Sequence, residues 1–200
     1  MSDPELYFVL PPSFDPVRHM SVLREALELG RPTALRLAVT EEAAARTQAT
    51  ALQHVLRAQD IALILTNLPA LARQLDCDGV QLDATSPLLA TARKALGEDR
   101  QLGIACPPTR DAAMSAGEAG ADYIALPPEG ADVVRWWGEM MELPTVADPL
   151  STSAEARAMA GAGVDFLTLR IDCTAPDQMR AQIRDWADLR PGRPASARPA

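Results

Sequence analysis

Three short segments, Asp78-Gly79-Val80, Asp122-Tyr123-Ile124 and Asp165-Phe166-Leu167, each place an aspartate just ahead of an apolar run, at spacings of 44 and 43 residues. A fixed period of this size marks a repeated supersecondary unit. Each interval holds two alternations of strand-like and helix-like pattern, so one unit is about 22 residues and eight need about 176. Apolar periodicity predicts eight strands over residues 6–10, 33–39, 62–67, 78–83, 101–106, 123–127, 145–148 and 166–171. Helical composition fills 16–29, 41–57, 69–75, 87–96, 110–118, 131–141, 153–160 and 176–187. Strands alternating with helices imply a parallel sheet. An eight-fold run favours a single small (β/α)8 TIM barrel of the α/β class, spanning residues 5–188, over an open doubly wound sheet. Gly120 and Gly163 stand where helices must stop before the next strand, a place for positive φ. Residues 189–200 carry proline and glycine where a helix needs donors, and they read as a disordered tail.

Composition narrows the function. With 48% apolar residues in 200, the chain can bury one sizeable core. Its apolar runs fall well short of the roughly 20 residues of a membrane span, and the start Met1-Ser2-Asp3-Pro4-Glu5 lacks the pattern of a secretory signal. The expected compartment is the cytoplasm. Cys77, Cys106 and Cys173 make an odd count without C-x-x-C spacing, which fits reduced thiols and offers no metal site. A net charge of -8 argues against nucleic acid. A small phosphorylated or otherwise anionic molecule remains an eligible ligand where arginines gather locally. Oligomeric state and protein partners stay open.

A barrel of this kind builds its site at the C-terminal ends of the strands. In the second strand Leu35, Leu37 and Val39 should face the helices, leaving Arg36 inward; in the eighth, Leu167, Leu169 and Ile171 leave Thr168, Arg170 and Asp172 inward. Two arginines then point at one mouth, where a planar guanidinium suits phosphate or carboxylate. The alternative is an internal ion pair with Asp83, Asp148 or Asp172. Thr66, Asn67, Gln81, Asp83, Ser86, Asp148 and Ser151 complete the polar strand ends. Ser151 to Ser153 open the seventh helix, a position that can present donors to phosphate, yet Thr152-Ser153-Ala154-Glu155 also has the form of a capping box. His19 and His54 fall in helices and are poorly placed as bases. Trp136 and Trp137 read as packing residues, and Cys106 as a buried thiol.

Leu6-Tyr7-Phe8-Val9, Leu35-Arg36, Leu63-Ile64-Leu65-Thr66-Asn67, Asp78-Gly79-Val80-Gln81-Leu82, Gly103-Ile104-Ala105 and Gly120-Ala121-Asp122-Tyr123-Ile124 occur in the order of the first six strands. On these segments the chain resembles the thiamine phosphate synthase family, which includes a thiazole tautomerase branch. The resemblance runs from about Leu6 to Ile171. It implies a TIM barrel that joins a pyrimidine methyl diphosphate to a thiazole phosphate, releasing pyrophosphate with Mg²⁺ on the leaving group. The family's Q-x-R-x-K on the second strand is Ala34-Leu35-Arg36-Leu37-Ala38 here, so only the arginine persists. The Asn-Asp pair after the third strand, whose Asp binds Mg²⁺, falls on Thr66-Asn67, and the second metal Asp falls on Ser86. The Ser of G-V-S-x-H is Ala105 and its His, on which the tautomerase branch depends, is Pro107. The lysine segment after the sixth strand is Pro127-Pro128-Glu129-Gly130, and the glycine pair ending the seventh is Ala147-Asp148-Pro149. Two functions lead. One is a family protein with lost or altered catalysis, holding at most an anion at its mouth and needing no cofactor. The other is an active thiamine phosphate synthase with a rearranged site, which alone would call for Mg²⁺. An enzyme of different chemistry using Asp83, Asp148 and Asp172 is a third, but their spacing selects no reaction.

Overall fold

The structure, a computed structural model, describes residues 3–189. Eight strands alternate with eight helices in chain order. They are β1 (Glu5–Leu10), α1 (Pro16–Gly30), β2 (Ala34–Leu37), α2 (Glu42–Arg57), β3 (Ala62–Thr66), α3 (Pro69–Gln74), β4 (Gly79–Asp83) and α4 (Leu89–Leu96). The second half comprises β5 (Gln101–Ala105), α5 (Arg110–Glu118), β6 (Tyr123–Leu126), α6 (Ala131–Met140), β7 (Thr145–Ala147), α7 (Ser153–Ala162), β8 (Phe166–Arg170) and α8 (Pro176–Ala187). All neighbouring pairs are parallel and β8 pairs with β1, closing the barrel. The expected TIM barrel is therefore the fold, and the open sheet is excluded. A short 3₁₀ turn at Pro128–Gly130, not anticipated from the pattern, leads into α6. Of the stretch expected as a tail, Leu189 packs against the core and its N–H donates to the Trp186 carbonyl at 3.2 Å. Residues 190–200 lie outside the described residues.

The aspartates that set the sequence period hold the N-terminal ends of the strands together in pairs. Asp78 Oδ2 accepts the Leu63 N–H at 2.7 Å, Asp122 Oδ2 accepts the Leu102 N–H at 2.7 Å, and Asp165 Oδ2 accepts the Thr145 N–H at 2.8 Å. Each carboxylate just before an even-numbered strand thus binds a backbone donor at the start of the odd-numbered strand beside it. In the β1–β2 pair the same place is taken by Thr33, whose hydroxyl donates to the Leu6 carbonyl at 3.4 Å. Helices stop where the sequence provides for it: Gly120 and Gly163 adopt φ of 83° and 91°, conformations that cost glycine nothing. Asp15 caps α1 through the amides of Val17 and Arg18.

Two apolar cores result. The larger lies between sheet and helices and takes Leu35, Leu37, Val39, Leu167, Leu169 and Ile171, the aliphatic faces expected to point outward. The smaller fills the barrel lumen with Tyr7, Ile64, Tyr123, Ala125 and Val146. A lumen this narrow needs a glycine where Tyr123 crosses β5, because a Cβ on Gly103 would lie 2.0 Å from the Tyr123 ring. Among the described residues no helix is long and apolar enough to cross a membrane.

Candidate functional site

Strand register fixes what the lumen presents to the mouth. Val9 of β1 is level with Arg36 of β2 on one side and Arg170 of β8 on the other, so the two arginines share its parity. Their environments differ. Arg36 is buried, whereas Arg170 is exposed and has no ion pair among the described residues. The Arg36 guanidinium donates through Nη2 to Asp148 Oδ2 at 2.6 Å, from β2 to the residue that follows β7. The same oxygen accepts Gln81 Nε2 from β4 at 2.9 Å. The side chains of the ion pair are only 11% and 10% exposed, so it is screened little by solvent. Of the two fates open to Arg36, anion site or internal pair, the geometry displays the pair, with Asp148 as its partner. Arg36 Nε is buried without a hydrogen-bond partner among the described residues.

The pair continues into a polar chain along the lumen. Gln81 Oε1 accepts the Tyr123 hydroxyl at 3.2 Å, and the Tyr123 and Tyr7 hydroxyls lie 3.2 Å apart. Since Tyr123 gives its proton to Gln81, Tyr7 is the donor of the last link. Burial pushes the Tyr123 phenol up to about 12 and the Tyr7 phenol well above its ordinary value. Both hydroxyls stay protonated and act as fixed dipoles. Neither tyrosine stands out in the sequence as a site residue, because each occupies an inward position that ordinarily holds packing.

The remaining polar strand ends are largely engaged by their own loops. Asp83 Oδ1 accepts both the amide and the hydroxyl of Thr85, at 2.8 and 2.5 Å, which holds its carboxyl below the usual range. Asp172 does the same with Thr174, and its carboxyl is lowered for the same reason. Ser86 Oγ accepts the Leu88 N–H at 3.3 Å. Asn67 stands just beyond β3 in a left-handed conformation with φ 59°, its Oδ1 buried and without a partner among the described residues. At the start of α7 the capping box forms, and Glu155 Oε2 accepts the amides of both Ser151 and Thr152. That helix N-terminus already holds a carboxylate where a phosphate would sit. Cys106 is buried, and burial lifts its thiol to about 11, so it offers no nucleophile.

The positions corresponding to the family's metal ligands carry uncharged side chains. Asn67 and Ser86 offer neutral oxygens, and the Asp148 carboxylate nearby in the lumen is already neutralised by Arg36. Among the described residues no three His, Cys, Asp or Glu side chains gather as a metal site. Mg²⁺ keeps several waters and is held by one or two carboxylates together with substrate phosphates, and neither Asn67 nor Ser86 supplies such a carboxylate.

The chain is similar to known proteins over most of its length. Residues 6–170 match the family described as thiamine monophosphate synthase. A thiamine-phosphate synthase of Rhodospirillum centenum is 36% identical, over 84% of this chain and 88% of that protein. One from Erythrobacter litoralis is 33% identical, over 83% and 86%. Among solved structures, a thiamine phosphate pyrophosphorylase from Pyrococcus furiosus superposes with a TM-score of 0.75 at 21% identity, covering 92% of this chain and 94% of that one. A mutant tryptophan synthase alpha-subunit from the same organism gives 0.71 at 9% identity, covering 94% of this chain and 99% of that one, a likeness of fold alone.

Proposed function

Because the chain belongs to the thiamine monophosphate synthase family, we propose that it descends from a pyrophosphate-releasing transferase and has lost the Mg²⁺-assisted coupling step, its mouth holding at most a small phosphorylated or anionic molecule. The observation that carries this is the buried ion pair of Arg36 and Asp148. Departure of pyrophosphate is helped by positive charge fixed where negative charge develops. Here the one arginine that persists from the family's second-strand pattern spends its charge on an aspartate of the same chain. The neighbouring amides at α7 serve Glu155, and Asn67 and Ser86 stand where anionic ligands would be needed. Arg170 is left as the exposed cation at the end of β8. A single exposed guanidinium can hold a phosphate in the ground state, but binding without selective stabilisation of the transition state gives no rate.

The names of the relatives favour the alternative, an active synthase with a rearranged site, and one assay separates the two. The purified protein is incubated with the pyrimidine methyl diphosphate, the thiazole phosphate and Mg²⁺, and thiamine phosphate is measured. No product above the uncatalysed background is expected. Turnover of about 1 per second or more, within the ordinary enzyme range, overturns the proposal.

A further inference from the structure

We propose that the opposite, N-terminal end of the barrel is a second small-molecule site, and that it takes a planar aromatic cation. The lumen of a TIM barrel is ordinarily filled by layers of bulky side chains. Here the residues level with Tyr7 are Thr168 on one side and, on the other, Ala34 and Ala62, two alanines in adjacent strands. They leave a cavity of about 670 Å³ that opens to solvent at the N-terminal end, within the range of small-molecule sites. Solvent reaches its rim: Ala34, Ala62 and Phe166, the first residues of β2, β3 and β8, all remain partly exposed.

The walls specify the ligand. Tyr7 and Tyr123 meet edge to face, with ring centroids 6.4 Å apart at 74°, and Phe166 lines the same space. The two tyrosines are nearly wholly buried, so Phe166, which is partly exposed, supplies the ring surface a ligand would meet. Around the opening the charges do not balance. Arg57 and Arg100 both bind Asp76, and Arg100 also binds Asp99. Asp122 is held by Arg93. Asp78 has no cationic partner among the described residues, and of its two oxygens only Oδ2 is engaged, by the Leu63 N–H. An anion entering here meets an excess of carboxylate. A neutral ring gains contact with the Phe166 ring alone. A flat cation gains both, the Phe166 ring through cation–π attraction and the free Asp78 oxygen through charge. This site lies at the other end of the lumen from the mouth and stands independently of whether the mouth is catalytic.

Binding of N-methylquinolinium, quinoline and naphthoate to the full chain by calorimetry at neutral pH tests the proposal, with matched two-ring probes that differ in charge. The expected order is cation, then neutral ring, then anion. Asp78→Asn keeps an oxygen for the Leu63 amide while removing the charge, and it should weaken the cation about three- to fivefold, the size of one solvent-exposed ion pair. Ala62→Phe partly fills the cavity and should weaken binding of the cation; Ala34→Leu provides the same test should the first variant fail to fold. Arg170→Ala, at the far mouth, should leave binding unchanged. No detectable binding of N-methylquinolinium, equal or tighter binding of naphthoate, full binding by the filled variants, or loss of binding in Arg170→Ala would each overturn it.

Discussion

Asp148→Asn tests whether the mouth is closed on itself, because it removes the charge that answers Arg36 while keeping an oxygen for Gln81. In the native chain Asp148 Oδ2 takes Nη2 of Arg36 at 2.6 Å and Nε2 of Gln81 at 2.9 Å, in side chains about nine-tenths buried. Breaking a buried pair from one side leaves an uncompensated charge and costs about 3–5 kcal/mol. For a chain of this length each kcal/mol lowers Tm by about 2–4 °C, so the variant should melt on the order of 10 °C lower. Arg36→Met strands the carboxylate instead and should cost a similar amount. The double variant has no buried charge, and the amide oxygen introduced by Asp148→Asn would still accept from Gln81, so it should lie within about 2 kcal/mol of the native protein. The cycle, measured by urea unfolding at constant m-value, should give a coupling energy of about 3 kcal/mol or more. Strict additivity, with the double variant as unstable as the two single costs combined, would refute the claim that Arg36 is committed to Asp148. The proposed loss of the coupling step would then lose the observation that carries it.

The aspartate clamps should grade by the number of donors they hold. Asp165→Ala loses both the amide and the hydroxyl of Thr145, at 2.8 and 2.9 Å, and should cost about 2–3 kcal/mol, against about 1.5 kcal/mol or less for Asp78→Ala, which loses one amide on a more exposed side chain; equal urea midpoints for the two would count against the ranking. Acid should act through Asp83 and Asp172, whose carboxyls are lowered by the hydroxyl and amide of Thr85 and Thr174. A lowered folded pKa contributes stability that is fully present above about pH 4, the unfolded aspartate value, and is lost as pH falls through the folded value. Thr85→Val with Thr174→Val should therefore be less stable at neutral pH and lose less between about pH 4 and the folded values; an unchanged pH profile in urea midpoints would show that these turns do not perturb their carboxyls.

How much of this was legible beforehand depends on the range of the forces involved. Alternation of strands and helices is local, and all eight strands stand where apolar periodicity places them, with ends displaced by a residue or two. The repeated aspartate was legible as a period but not as a bond. That Asp78, Asp122 and Asp165 each bind the preceding strand's first amides follows only once consecutive strands are side by side in parallel register. Inward and outward faces of β2 and β8 could be read from parity, since the aliphatic side had to meet the helices. The choice made by Arg36 could not. Asp83, Asp148 and Asp172 were equal candidates in sequence, and what separates them is tertiary: Asp83 and Asp172 find a threonine two residues ahead, which satisfies them within their own turns, while Asp148 meets Arg36 and Gln81 in the lumen. A carboxylate that can close an Asx turn on its own chain is thereby a weaker competitor for a distant guanidinium. The D-x-T spacing at Asp83 and Asp172, and its absence at Asp148, was the one sequence signal that distinguished the partner of Arg36 from the two aspartates beside it.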